Sequence, residues 1–154
     1  MITKRVRFAV LLVLLAVLLG VFLVGCASTQ DVLNVNLRDH SNLAVHVHPI
    51  LAIEIQGGKY TIPANMGISD TGMRVIHTHD DTGKLHVESP YPHQFFLRDV
   101  FAVWGWTWSE KEFMGHPITP EHTVLVYVNG ALYEGPKPGD LPLDDAEEIK
   151  IVYN

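Results

Sequence analysis

The sequence predicts an α+β domain: a mainly antiparallel β-sheet built from hairpins, with one face covered by a short helix. Three observations predict it. Apolar and polar residues alternate at period two through most of the chain after Leu43. Gly-Gly, Thr-Gly and Asn-Gly pairs punctuate those runs where hairpins turn. Only one stretch, "FFLRDVFAVWG", carries a clear helical period. Hairpins on both sides of a single helix argue against alternating βαβ units and a parallel sheet.

In chain order, the first segment is not read as fold. "MITKRVR" is basic, and Phe8 to Val24 follow without a charge, which is the outline of an export signal. "LVGC", Leu23 to Cys26, resembles the lipobox of bacterial lipoproteins, where the chain is cut before the cysteine and the thiol is acylated. That resemblance implies a signal peptide over 1–25 and lipidation at Cys26; the polar, mixed stretch to Asn42 reads as a tether (26–42), and the length and β pattern from Leu43 suit one domain over 43–154. The resemblance places the domain outside the cytoplasm, anchored in the membrane through lipid. Ala27 and Ser28 after the cysteine match the pattern sent to the outer membrane where a cell has two. One acyl chain, at about 0.8 kcal/mol per buried CH₂, holds a protein only marginally; lipoprotein modification supplies more than one.

The domain then unfolds as strands and turns. "LAVHVHPILAIEIQGGKYTIPANMGI" holds two alternating runs around Gly57-Gly58, closed by Pro63 and a turn from Asn65 to Gly67. "MRVIHTHDDTGKLHVES" is a second hairpin about Thr82-Gly83, and "TVLVYVNGALYEG" a third about Asn129-Gly130. "EEIKIVYN" is a final strand. Between them Leu97, Val100, Phe101 and Trp104 form an apolar helical stripe, with Gly105 as C-cap. A second short helix is expected near Ser109 to Met114. Trp104, Trp106 and Trp108 are expected to pack in or around the core. The C-terminal "VYVNGALY…LPLDDAEEIKIVY" is similar to the tail of ubiquitin-like β-grasp carriers but lacks their diglycine end, so the likeness implies topology and not carrier function.

Composition narrows the chemistry. Cys26 is the only cysteine, and acylation would leave no thiol for disulfides, iron–sulfur clusters or blue-copper ligation. Three of the 11 basic residues, Lys4, Arg5 and Arg7, stand in the leader, so the rest carries 8 against 17 acidic ones, a net of −9. Such a surface repels phosphate backbones and excludes nucleic acid as a partner. A cation suits it better.

The histidines supply the ligands for one. In a strand, residues two apart share a face, so His46-x-His48 and His77-x-His79 can each aim two imidazoles at one point. His86 joins them according to hairpin register. A two- or four-residue loop pairs His79 with His86 and His77 with Glu88; a three-residue loop with a bulge at Gly83 pairs His79 with Leu85 and turns His86 and Glu88 away. The expected metal ligands are His77, His79 and His86, with His46 and His48 beside them. Zinc or copper is the expected ion, other divalent transition metals being compatible. His40, His93, His116 and His122 are expected to be solvated.

"HVHPILAIEIQGGKYTIPANMGI", "IHTHDDTGKLHVESP" and "FFLRDVFAVWG" together resemble a group of small exported prokaryotic proteins of unestablished function. These share H-x-H, I-P-A-x-x-G-I, H-T-H-D-x-x-G-x-x-H-x-E and a helix ending in W-G. The likeness spans residues 46 to 105. It implies that His46, His48, His77, His79, Asp80, His86 and Glu88 belong to a shared pattern, and it implies no activity. Phe96 departs from the pattern, since the group has a helix-capping hydroxyl there.

Two functional classes follow, and a third without metal. A lipid-anchored extracytoplasmic metal-binding protein would sequester, sense or hand on an ion. A metal-dependent hydrolase or hydratase would keep an open position for water, with Glu88 or Asp80 accepting its proton. An envelope adaptor would use the sheet to contact another protein and need no ion.

Overall fold

A computed structural model describes residues 31–145 and 147–154; the expected signal peptide and Cys26 lie outside them. Within this part, a 3₁₀ turn (Val32–Asn34) leads to β1 (Asn36–Leu37), β2 (Val45–Val47), β3 (Ile50–Ile55) and β4 (Gly58–Tyr60). Then come β5 (Ile68–Ser69), β6 (Gly72–Arg74), β7 (Ile76–His77) and β8 (His86–Ser89). The helix α1 (Leu97–Trp104) precedes β9 (Glu112–Phe113), β10 (His116–Pro117), β11 (Val124–Val128), β12 (Ala131–Leu132) and β13 (Glu148–Tyr153). The architecture is α+β and mostly antiparallel.

The largest sheet runs β12-β11-β13-β3-β4. Its two hairpins turn where two-residue loops demand left-handed backbone: Gln56-Gly57 (φ 49 and 78°) and Asn129-Gly130 (φ 51 and 82°). The first turn thus sits one residue earlier than Gly57-Gly58. At the centre, β13 pairs with β3 in parallel over six residues, from Glu148↔Ile50 to Tyr153↔Ile55. The sheet is therefore mixed, because the last strand returns beside the first through a long connection rather than a tight turn. The Asn-Gly turn and the acidic run before the last strand, on which the β-grasp likeness rests, both lie in this sheet.

Alternation does what it should in the central strands. Leu51 and Ile53 on β3, and Ile149, Ile151 and Tyr153 on β13, are buried, while Ile50, Ala52, Glu148 and Lys150 face out. Helix α1 supplies Leu97, Val100, Phe101 and Val103 to the same core. Burying a side chain the size of Phe101 contributes roughly 2–3 kcal/mol. Gly105, at φ 74°, ends the helix as expected. Its start lacks a capping hydroxyl at Phe96, but the Asp99 carboxylate accepts the Phe96 N–H at 2.8 Å and restores half of the missing cap. Trp104, Trp106 and Trp108 pack partly buried against this core, with Trp106 edge-on to Tyr60 and Trp108 edge-on to Phe101.

Two expectations are corrected here. Ser109 to Met114 is not helical: Glu112 and Phe113 pair with His116 and Pro117 as a small hairpin through Met114-Gly115, both at positive φ. Six residues are too few to nucleate a helix when a left-handed turn competes. The folded unit also begins earlier than residue 43, at Asp31. Leu37 is buried, β1 pairs with β6, and Arg74 donates to the Leu33 carbonyl and the Asn34 side chain at 2.9 and 2.8 Å. What reads as a polar tether is, from Asp31 on, an arm packed along the domain.

Candidate metal centre

A second sheet, β2-β8-β7, carries the histidines. Its register puts His46 opposite Glu88 on one side of β8 and His77 opposite His86 on the other. Directly paired residues share a face, so the polar positions of three strands meet there, while Val45, Val47, Ile76 and Val87 take the opposite one. Neither register expected from the loop length occurs. Pairing His77 with His86 leaves eight residues, 78 to 85, in the connection. That loop is long because it is held elsewhere. Gly83 is pressed so close to β3 that a Cβ there would lie 2.2 Å from the Leu51 carbonyl oxygen, and the Leu51 N–H donates to the Gly83 carbonyl at 2.8 Å.

The outcome is a continuous group of rings. Centroids are 4.7 Å apart for His46 and His48, 4.6 Å for His48 and His86, and 4.5 Å for His86 and His79. His77 lies 5.0 Å from His79 and 5.2 Å from His86. All five expected histidines thus come together, with Glu88 at the base. A sixth was missed: His40, expected to be solvated, sits 5.8 Å from both His77 and His79 and donates from Nδ1 to Glu88 Oε2 at 2.6 Å. No local pattern marks it, since it has no H-x-H partner and arrives only through the long-range pairing of β1 with β6. The other three stay apart. His93 packs edge-on to Phe95, His116 lies near Tyr153, and His122 donates to the Asn154 carbonyl at 2.9 Å.

Three sets of donor atoms lie within 4.8 Å of one another: His40, His77 and His79; His46, His48 and Glu88; and His77, His86 and Glu88. These groups could hold a metal ion. His77 and Glu88 form a buried floor at 0% exposure, while His40, His46 and His79 form an exposed rim.

The floor leaves a ring nitrogen unpartnered among the described residues. His77 Nδ1 lies 3.0 Å from the Arg74 carbonyl oxygen, which can only accept, so the proton belongs on Nδ1. Nε2 is then a lone-pair nitrogen, and it is buried with no hydrogen-bond partner among the described residues. Burial pushes the imidazole down to about 4, so the ring is neutral at physiological pH. Burial also lowers His86 and His48, in His86 against the opposing pull of the Glu88 hydrogen bond. Glu88 runs the other way: burial by itself raises the carboxyl, but the His40 hydrogen bond and the rings of His77 and His86 outweigh it. The carboxyl is held below the ordinary glutamate range and is ionised. Its Oε1 faces His86 Nδ1 at 3.3 Å and His46 Nε2 at 3.4 Å. Asp80, the other carboxylate expected near the ligands, belongs to none of the three sets. Its Oδ1 accepts from the Thr82 N–H at 3.0 Å and the Thr82 hydroxyl at 2.5 Å, capping the loop.

The residues around His77 and His79 hold the floor in place. Thr78, buried between His77 and His79, donates its hydroxyl to the Pro63 carbonyl at 2.9 Å and accepts the Met66 N–H at 3.1 Å. Gly67 lets the backbone approach β7, since a Cβ there would lie 2.5 Å from the Ile76 carbonyl oxygen and 3.2 Å from His77 Cβ. Trp104 donates its indole N–H to that same carbonyl at 3.0 Å. The segments "IPANMGI", "HTHDDTG" and "WG" are therefore one assembly around His77.

Comparison with known protein families, curated proteins and solved structures gives no match.

Proposed function

We propose that the protein is a metal-binding protein, held outside the cytoplasm by lipid at Cys26, whose imidazole-rich centre takes zinc or copper. The observation that carries this reading is His77 Nε2. A buried polar atom without a partner costs roughly 1–3 kcal/mol, and a bound ion is one way such an atom is satisfied. Here the opposite ring nitrogen is tied to a backbone carbonyl, the arrangement that orients metal-binding imidazoles. Neighbouring rings offer further nitrogens, and imidazole donors favour borderline transition ions over calcium or magnesium, which take oxygen. The exposed rim suits uptake and release, and so sequestration, sensing or transfer.

The test is metal analysis of the full chain purified in detergent at neutral pH, against a His77→Ala variant. Retention of zinc or copper by the wild type and a loss of at least tenfold in affinity in the variant supports the reading. A wild-type chain that binds neither ion removes it.

A further inference from the structure

The centre has more donors than one ion can use. Six imidazoles and one carboxylate converge, whereas zinc takes four ligands in a closed site and three where a position is kept open. Nor do the donors surround one point, because they fall into sets of three. His40, His77 and His79 share no residue with His46, His48 and Glu88. His86 stands between them, its ring 4.5 Å from His79 on one side and 4.6 Å from His48 on the other. The third set, His77, His86 and Glu88, draws one member from each of the first two.

Glu88 joins the halves atom by atom. Its Oε2 faces His40 at 2.6 Å, and its Oε1 faces His46 at 3.4 Å and His86 at 3.3 Å. The Glu88 side chain is fully buried, with its two oxygens turned toward different rings of the group. It is well suited to two cations, with one oxygen turned toward each.

Building on the metal-binding reading, we propose that this is a two-ion centre. One divalent first-row ion lies among His40, His77 and His79, a second lies against His46 and His48, and Glu88 bridges them. Bridged pairs of this kind sit roughly 3.5–4 Å apart. His86 supplies a further nitrogen on the shared wall. Strand β8, which carries both Glu88 and His86, is the common element of the two halves, and each flanking strand with the residues just after it brings an H-x-H pair. The arm that carries His40 completes one half only.

Copper(II) reports both the count and the bridge. The full chain in detergent is stripped with chelator, loaded with copper(II) and freed of excess. Copper per chain is then measured beside the electron paramagnetic resonance spectrum. The expected result is two coppers per chain, a half-field transition, and an integrated intensity below that of two isolated ions. His46→Ala/His48→Ala, both partly or fully exposed positions, should fall to one copper per chain with an isolated-ion spectrum of full intensity. Glu88→Gln should weaken or abolish the half-field signal; if that variant does not fold, the rim variant and the wild-type spectrum still decide. A single copper in the wild type overturns the pair while leaving metal binding intact. Two coppers with the full intensity of isolated ions overturn the bridge. No copper at all removes both readings.

Discussion

Burial keeps the His77 imidazole neutral, and neutrality is what a ligand nitrogen needs. The same burial makes the metal-free protein sensitive to acid. In the unfolded chain the ring takes a proton near 6.5, while in the fold it does so only near 4. Between those values the unfolded state binds the extra proton, so stability is full above about pH 6.5 and drains as pH falls toward 4. The loss from this ring is on the order of 3 kcal/mol. Denaturant unfolding of the chelator-treated protein across that window checks it, and a His77→Phe variant should show a much flatter profile. Thr78 is the neighbouring case of a residue that ligates nothing. Thr78→Val keeps the shape and strands the Met66 N–H and one acceptor, so it should cost about 1–3 kcal/mol, read as a lower denaturant midpoint.

Among the elements, the β7–β8 connection decides which side chains meet. Its register follows from Gly83 docking on β3, a contact between segments more than thirty residues apart, so turn chemistry around Thr82-Gly83 carries no trace of it. That is why the two registers expected from loop length both fail, although the H-x-H spacing correctly put paired rings on one face. The helix is the contrary case. Leu97, Val100 and Phe101 at helical spacing with Gly105 behind them are local signals, and they appear as read. Ser109 to Met114 shows the limit of such signals, because a six-residue stretch leaves the choice to the turn that follows. Gly83→Ala tests the docking. Gly83 and Gly130 share nearly the same left-handed φ, 88 and 82°, but a Cβ at Gly130 meets nothing within 4 Å. Gly130→Ala should cost only backbone strain, on the order of 1 kcal/mol. Gly83→Ala should cost clearly more, and should also lower metal affinity at least tenfold by shifting His79 and His86. A thermal melt and a metal titration of both variants make the comparison.

Across the whole folded unit, a mixed sheet and helix form a stable base, and the smaller sheet hangs its histidine face beside the end of β3. The fold class was legible because alternation and turn residues are local. His40 was not, because the arm that delivers it looks polar and unstructured until β1 meets β6. If the centre binds a cation only when folded, metal adds to stability by mass action. At free zinc about 100-fold above the dissociation constant the gain is about 2.7 kcal/mol, reversed by chelator. A melting temperature unmoved by zinc would mean that the ion does not bind the folded form. The most direct measurement is X-ray absorption at the zinc edge of the loaded full chain. Nitrogen-rich first-shell scattering at about 2.0–2.1 Å, with the outer-shell pattern of several imidazole rings, is the expected spectrum. An all-oxygen shell without imidazole scattering would show that the gathered rings hold no ion.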